Sequence, residues 1–383
     1  MVRSRAALPV EEVTRSMRDW IVRAFQPGDS LPGDRELSRR FGVSNVTIGK
    51  AMQVLVAEGL VERRPRSGTY MLDWRENLPV ALVTGVDLFH PGASNYFRRI
   101  IANLRNRLRD ANISQELFIG HSDPGKYCRE DDLSPEFLEA VDKSALRAVI
   151  LVSVVPRGDW LEKLKVAGIP VIGMNPYVQY GVFSTSGDAI RRSVRHLYAQ
   201  GCRRFAMLVP RDRCAQGGPD RREPRLSPDG LVACKHFAGV LAELGLEKRD
   251  EWIGVTDFAG VPGAGWEETR EIWIAHPEER PDALIVMDEA LFNNVAVALL
   301  EMNVDVPREL HVVTNTSAGI AHRLPFPVSR IEIDSGAQSE AFMRMLREVL
   351  GGNEPRSTHI DLPAKLKMLE GNVQTRDKRA AKR

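Results

Sequence analysis

The 383-residue chain contains no run approaching the ~18 uncharged apolar residues of a membrane-spanning helix, and its N-terminus lacks the apolar core of a secretory leader. A cytoplasmic protein without membrane contact is therefore expected. Cysteine is scarce. Cys128, Cys202, Cys214 and Cys234 show no C-x-x-C or other ligand spacing, which argues against a disulfide scaffold or a thiolate metal site and for reduced thiols. The 8 histidines are scattered, with no H-x-x-x-H pair, so no metal and no cofactor is expected. Missing too are a G-x-S-x-G elbow, a phosphate-binding Walker loop and an H-E-x-x-H helix. Adjacent carboxylates such as Asp131-Asp132 and Glu267-Glu268 point to different sides and read as solvated. No catalytic residue can be assigned, and no enzymatic activity is expected.

What is present begins with residues 27–72, PGDSLPGDRELSRRFGVSNVTIGKAMQVLVAEGLVERRPRSGTYML. Before it, Val13, Met17, Trp20, Ile21 and Ala24 recur at helical spacing on one face, and Pro27-Gly28 ends that helix. A short helix over about 34–41 buries Leu37 and Phe41 and exposes Arg35, Arg39 and Arg40. Gly42-Val43 supplies a tight turn, and Ser44 is suited to cap the next helix. That helix runs to about residue 58, with Ile48, Ala51, Met52, Leu55 and Val56 inward and Gly59 closing it in a left-handed position. Two strands, near 60–64 and 69–72, flank a hairpin tip of Pro65-Arg66-Ser67-Gly68.

The segment resembles the winged helix-turn-helix of the GntR family, from its LP-x-[DE]-R-EL run to the basic hairpin. The resemblance implies a third helix in the major groove of duplex DNA and a hairpin along the backbone or minor groove. Asn45, Thr47 and Lys50 then sit where side chains reach base edges, and Ser44 and Arg35 where they reach phosphate. Arg63, Arg64 and Arg66 contribute sequence-independent attraction, with Gly68 completing the tip. Two departures from the family pattern point to an operator of its own. Asn45 and Gly49 stand where arginine is common, and the wing reads P-R-S-G-T rather than P-G-R-G-T. Gly49 is either a tolerated helix weakness or a point of close approach. A basic run also fits a merely solvated face. Charge distribution favours the DNA reading: residues 1–75 hold 13 Lys and Arg against 9 Asp and Glu, and the rest 40 against 42, so the excess lies on the small module.

From Pro79 the pattern changes to alternating strands and helices. Apolar runs at 79–85, 148–154, 169–174, 205–210, 283–287 and 311–314 read as buried parallel strands. Amphipathic stretches near 94–111, 135–143, 158–167, 188–200, 229–244, 266–276, 288–303 and 336–350 read as the helices between them. The fold class expected is α/β: an N-terminal α+β winged helix-turn-helix, then a bilobed body with two doubly wound parallel sheets. The domains expected are 1–73 for the head, 74–78 for a linker, 79–373 for the body and 374–383 for a basic disordered tail.

The body resembles the effector domain of LacI/GalR repressors, with the type 1 periplasmic-binding-protein fold. The matching stretches are SNYFRRIIANLRNRLRDANI, AGIPVIGMN, SGDAIRRSVRHLYAQGCRRFAMLVP, RPDALIVMDEALFNNVAVALLEMNVDVPREL and LPAKLKMLEG. The resemblance implies a ligand cleft between lobes, a homodimer along the lobe faces, and three crossings near 184–188, 330–334 and 352–358. It places Tyr96 and Phe97 at the cleft, with Asn175 a further candidate, and Phe258 and Asp288 fall at strand ends where open α/β sheets bind ligands. Tyr96 and Phe97 are equally readable as helix-start core residues, and Asp288 as a helix cap. Ala233 and Thr316 occupy the positions where the family commonly carries an effector-clamping arginine and an aspartate. Losing both removes the strongest charge-assisted contacts such a pocket offers. Arg225, in the polar insertion 211–228, is a candidate replacement, or the insertion is a mobile surface loop.

These readings converge on a sequence-specific, DNA-binding transcriptional regulator, expected to be a repressor. A small-molecule effector, with a carbohydrate as the candidate class, would control its affinity for a double-stranded operator. The alternative is a DNA binder with a degenerate cleft, acting constitutively or through a protein partner.

Overall fold

The computed structural model describes residues 10–90, 93–122, 132–174, 177–184, 187–210, 228–257, 261–319, 324–352 and 354–369. Two compact units make up the chain: Met1–Val80 with Ala145–Arg147, and Ala81–Ser144 with Ala148–Arg383.

The first unit holds α1 (Val10–Ala24), β1 (Ser30–Leu31), α2 (Asp34–Phe41), α3 (Asn45–Ala57), β2 (Val61–Arg64) and β3 (Gly68–Met71). The strands form an antiparallel sheet in the order β1-β3-β2. Helical spacing turns Val13, Met17 and Ile21 of α1 onto Ile48, Ala51, Met52 and Leu55 of α3, with Leu37, Leu60, Val61 and Met71 closing the core. Met17, Ile21 and Leu55 are wholly buried, each stabilising the fold by about 1.5–3 kcal/mol. Two expected core positions are exposed. Ala24 is the last residue of α1, past the packed stripe, and Val56 falls at the rim of the stripe set by Ile48, Met52 and Leu55. In their place Thr14 is buried, its hydroxyl satisfied by donating to the Val10 carbonyl at 2.7 Å. Trp20 is half-buried, edge-on to Phe25 and Phe41. Gly42 and Gly59 take φ of +67° and +70°, the left-handed geometry that ends α2 and α3 without the steric cost of a Cβ. Residues 74–78, the expected linker, include a 3-10 turn at Trp74–Asn77.

The second unit contains two six-stranded sheets. The first lobe is built from β4 (Val80–Val86), α4 (Asn95–Asp110), β5 (Gln115–Ser122), α5 (Pro135–Asp142), β6 (Ala148–Val152), α6 (Asp159–Val166), β7 (Val171–Gly173) and β8 (Tyr180–Phe183). The second lobe is built from α7 (Gly187–Ala199), β9 (Phe205–Pro210), α8 (Pro228–Glu243), β10 (Ile253–Thr256), α9 (Trp266–Ile274), β11 (Ala283–Val286), α10 (Leu291–Glu301), β12 (His311–Ser317) and β13 (Ser329–Ile333). The chain then returns to the first lobe with α11 (Ser335–Leu350) and β14 (His359–Asp361), and ends the described fold with β15 (Lys365–Lys367) in the second. Sheet orders are β14-β8-β7-β6-β4-β5 and β10-β9-β11-β12-β13-β15. The same doubly wound pattern thus occurs twice. In the second sheet every pairing is parallel except β13 with β15.

Alternation along β9 explains the layering of the second lobe. Ala206 and Leu208 point to the α9/α10 side, and Phe205, Met207 and Val209 to the α7/α8 side, so both faces are dry. In the first lobe Phe118, Phe137 and Trp160 stack at centroid spacings of 5.6 Å. The chain crosses between lobes three times. The first two crossings follow β8 and β13, at the ends of the expected segments. The third differs from expectation: after α11 the chain lays β14 as a parallel edge beside β8, and crosses at 362–364 rather than 352–358.

Candidate nucleic-acid interface and ligand cleft

In the first unit the end of α3 that carries Ser44 is built for exposure. The Ser44 hydroxyl accepts the Thr47 backbone N–H at 3.1 Å and shares a 2.9 Å hydrogen bond with the Thr47 hydroxyl, which caps the helix. Asn45, Val46 and Lys50 stand exposed on the two turns that follow. Arg35 is exposed on α2, and Arg66 and Gly68 are exposed at the hairpin tip. The hairpin arginines are held differently. The Arg63 guanidinium donates to both carboxylate oxygens of Asp34 at 2.8 and 2.9 Å. Arg64 pairs with Glu62 at 2.9 Å and lies 4.7 Å over the Tyr70 ring. Among the described residues, Arg35, Lys50 and Arg66 have no carboxylate partner, and neither do Arg39 and Arg40 of α2, the latter lying 4.3 Å over the Trp20 ring. The helix start, with its free N–H groups and positive dipole end, adds to this field.

In the second unit a cleft of about 530 Å³ collects residues from both lobes, within the size range of a small-molecule site. Its walls come from the C-terminal ends of parallel strands, where open α/β sheets bind ligands. Ser94, Asn95, Tyr96 and Phe97 follow β4, Met174 follows β7, and Phe183 and Ser184 end β8. Across from them lie Ala233 after β9, residues 287–290 after β11, and 314–317 of β12.

The cleft is rich in acceptors and hydroxyls. The Asp288 carboxylate accepts the N–H groups of Ala290 and Leu291 at 2.7 and 2.9 Å, capping the turn into α10. Burial pushes its carboxyl above the usual range, and those two N–H groups work in the opposite direction. Glu289 accepts from the backbone N–H and hydroxyl of Ser317 at 2.7 and 2.8 Å. Asn315 donates through Nδ2 to the Met287 carbonyl at 2.9 Å, while its Oδ1 is buried without a partner. The buried Thr316 hydroxyl also lacks one. An unpaired buried polar atom costs about 1–3 kcal/mol, so this pair marks where a ligand would recover hydrogen bonds. No lysine or arginine lines the cleft among the described residues.

Comparison with known proteins agrees with both halves. Residues 9–71 match the family model "Bacterial regulatory proteins, gntR family", and residues 194–368 match a "Periplasmic binding protein-like domain". The chain joins a GntR-family DNA-binding domain to a periplasmic-binding-protein-like domain. The chain is similar to the mannosyl-D-glycerate transport/metabolism system repressor MngR of Escherichia coli, at 35% identity over 77 residues. That match spans 20% of this chain and 32% of the relative. The Uxu operon transcriptional regulator of the same organism matches at 36% over 69 residues, 18% of this chain and 27% of that one. The chain thus covers about a third or less of the length of these relatives. A solved structure of the transcriptional regulator CelR in complex with cellobiose aligns over 88% of this chain and 99% of its own, with TM-score 0.57 and 17% identity. A LacI family regulator from Arthrobacter sp. FB24 in complex with lactose aligns over 76% and 98%, with TM-score 0.57 and 20% identity. At such identities the likeness establishes the shared fold.

Of the cleft residues named from sequence, the second unit brings Tyr96, Phe97, Asp288 and Thr316 into one cavity. Asn175, Arg225 and Phe258 lie outside the described residues, as does most of the 211–228 insertion. Tyr96 is tied down: its hydroxyl donates to the Gln338 side-chain carbonyl on α11. Gln338 in turn donates to the Val182 carbonyl at 3.0 Å. Ala233 lines the wall as a methyl group, so the position where arginine is common offers no charge here. Sequence reasoning overlooked Glu289, Asn315 and Ser317. The signal available was their place just after or within the strand ends of β11 and β12.

Proposed function

We propose that this chain is a transcriptional regulator whose head binds duplex DNA and whose cleft binds a small molecule that alters DNA affinity. The exposed, capped start of α3, in a unit whose exposed Arg35, Lys50 and Arg66 have no carboxylate partner among the described residues, carries the reading. In this reading Asn45, Thr47 and Lys50 face base edges, and Arg35, Arg66 and Gly68 lie against the backbone, with Ser44, Arg63 and Arg64 nearby. The protein acts as a cytoplasmic homodimer on a two-fold symmetric operator and represses. The effector is a neutral carbohydrate or similar polyol. Support comes from the cellobiose and lactose complexes of two structural neighbours, and from a cleft of carboxylates, an amide, hydroxyls and aromatic rings. Its acceptors suit ligand hydroxyl donors, and the absence of a lining cation among the described residues disfavours phosphorylated or acidic sugars.

A ligand shifts the equilibrium between lobe arrangements only by its differential affinity for them. Couplings of about 1–3 kcal/mol change operator affinity roughly 5–150-fold. The test is a thermal-melting screen of the full chain against neutral mono- and disaccharides, their phosphates and their uronates, followed by duplex binding with each hit. A neutral sugar that raises the melting temperature and changes duplex affinity supports the reading. Duplex binding that no sugar alters would show a DNA binder without this control.

A further inference from the structure

We propose that Val46 reads the C5-methyl group of a thymine in the major groove, with Gly49 keeping the helix face low enough for the base pair to approach. The inference rests on the reading of the head as a DNA-binding module. Val46 is the second residue of α3 and is 69% exposed, whereas Ile48, Ala51, Met52 and Leu55 of the same helix are wholly buried. Positions 46, 49 and 50 share one face, since residues three and four apart are helix neighbours. The outward stripe therefore runs valine, glycine, lysine. Gly49 is not demanded by packing: a Cβ there would meet nothing within 4 Å, and its φ is not in the left-handed region. Glycine inside a helix costs about 1 kcal/mol relative to alanine, and the fold offers no return for it. A surface without side-chain bulk is what close approach of another molecule requires.

Chemistry then selects the partner atom. Valine has no hydrogen-bonding group, and in the major groove the apolar feature that distinguishes one base pair from the others is the thymine methyl. Asn45 and Lys50 beside it supply polar contacts to neighbouring base edges, so Val46 adds discrimination where they cannot.

The experiment begins with selection of binding duplexes from a random library by the full-length chain. In the selected duplex each thymine is then replaced singly by deoxyuridine, which removes the methyl and leaves base pairing intact. Wild type should lose about fourfold in affinity at one thymine per half-site, the worth of one buried methyl-sized group. V46A should bind thymine and deoxyuridine duplexes alike at that position while melting close to wild type, because the side chain is 69% exposed and belongs to no core cluster. A wild-type chain indifferent to every deoxyuridine, or a V46A variant that keeps the full thymine preference, overturns the proposal and leaves DNA binding standing. Failure to select any duplex overturns the DNA-binding reading, and this one with it.

Discussion

Thr316 and Asn315, near the end of β12, carry buried oxygens with no partner. Such atoms penalise the empty protein and become assets when a ligand donates to them. Thr316→Val should therefore raise the melting temperature of the ligand-free chain, equivalent to about 1 kcal/mol, and shrink the shift produced by an effector. A lower melting temperature with an undiminished ligand shift would remove Thr316 from the site. His311, at the start of the same strand, makes a separate case. Burial holds its imidazole below the ordinary value of 6.5. In the folded state it stays neutral where the unfolded chain takes up a proton, so its contribution is complete above the unfolded value and is lost as pH falls toward the folded one. Unfolding by denaturant across weakly acidic pH should show stability declining with acidity, and His311→Gln should flatten that slope.

At the scale of elements, the proposed role of α3 sets fold stability against DNA binding at Gly49. Gly49→Ala should stabilise the head by about 0.5–1 kcal/mol, because the helix is regular there and space is open. It should nonetheless weaken duplex binding, since the added methyl stands on the approaching face. Melting and binding measured on one preparation check both signs. Elements also differ in how plainly the sequence announces them. The strands β6, β7, β9 and β11 show as apolar runs, β4 as one interrupted by Thr84, and β12 only through Val312-Val313. The strands of the second unit without such a run are β5 and β10, edges of their sheets with half-buried patterns, the short edges β14 and β15, and the interior strands β8 and β13, whose apolar residues alternate with Gly181 or with Arg330 and Glu332. Omitting β14 moved the expected third crossing early, because a three-residue edge strand has too little apolar surface to register as periodicity. In the cleft, aromatic Tyr96 and Phe97 and the acidic turn at Asp288 were legible by position. Asn315 was not, because alternation says which side chains share a face and not which strand end opens on a cavity.

For the whole molecule, the account joins a cationic reading head to a clamshell whose two sheets repeat one topology. Three chain crossings, after β8, after β13 and at 362–364, link the lobes, so a ligand touching residues after β4 and after β11 bridges both. On the proposed DNA reading, the hairpin arginines should contribute unequally to grip. Arg63 and Arg64 already face Asp34 and Glu62, whereas Arg66 at the tip is unpaired among the described residues. The most direct measurement is the affinity of the full chain for its selected duplex as a function of salt, followed by fluorescence anisotropy. Binding should weaken linearly in log–log form, and Arg66→Ala should lower affinity for all sequences and flatten the slope by about one. A chain that binds no duplex even at about 50 mM salt, or whose binding ignores both salt and Arg66→Ala, would contradict the account.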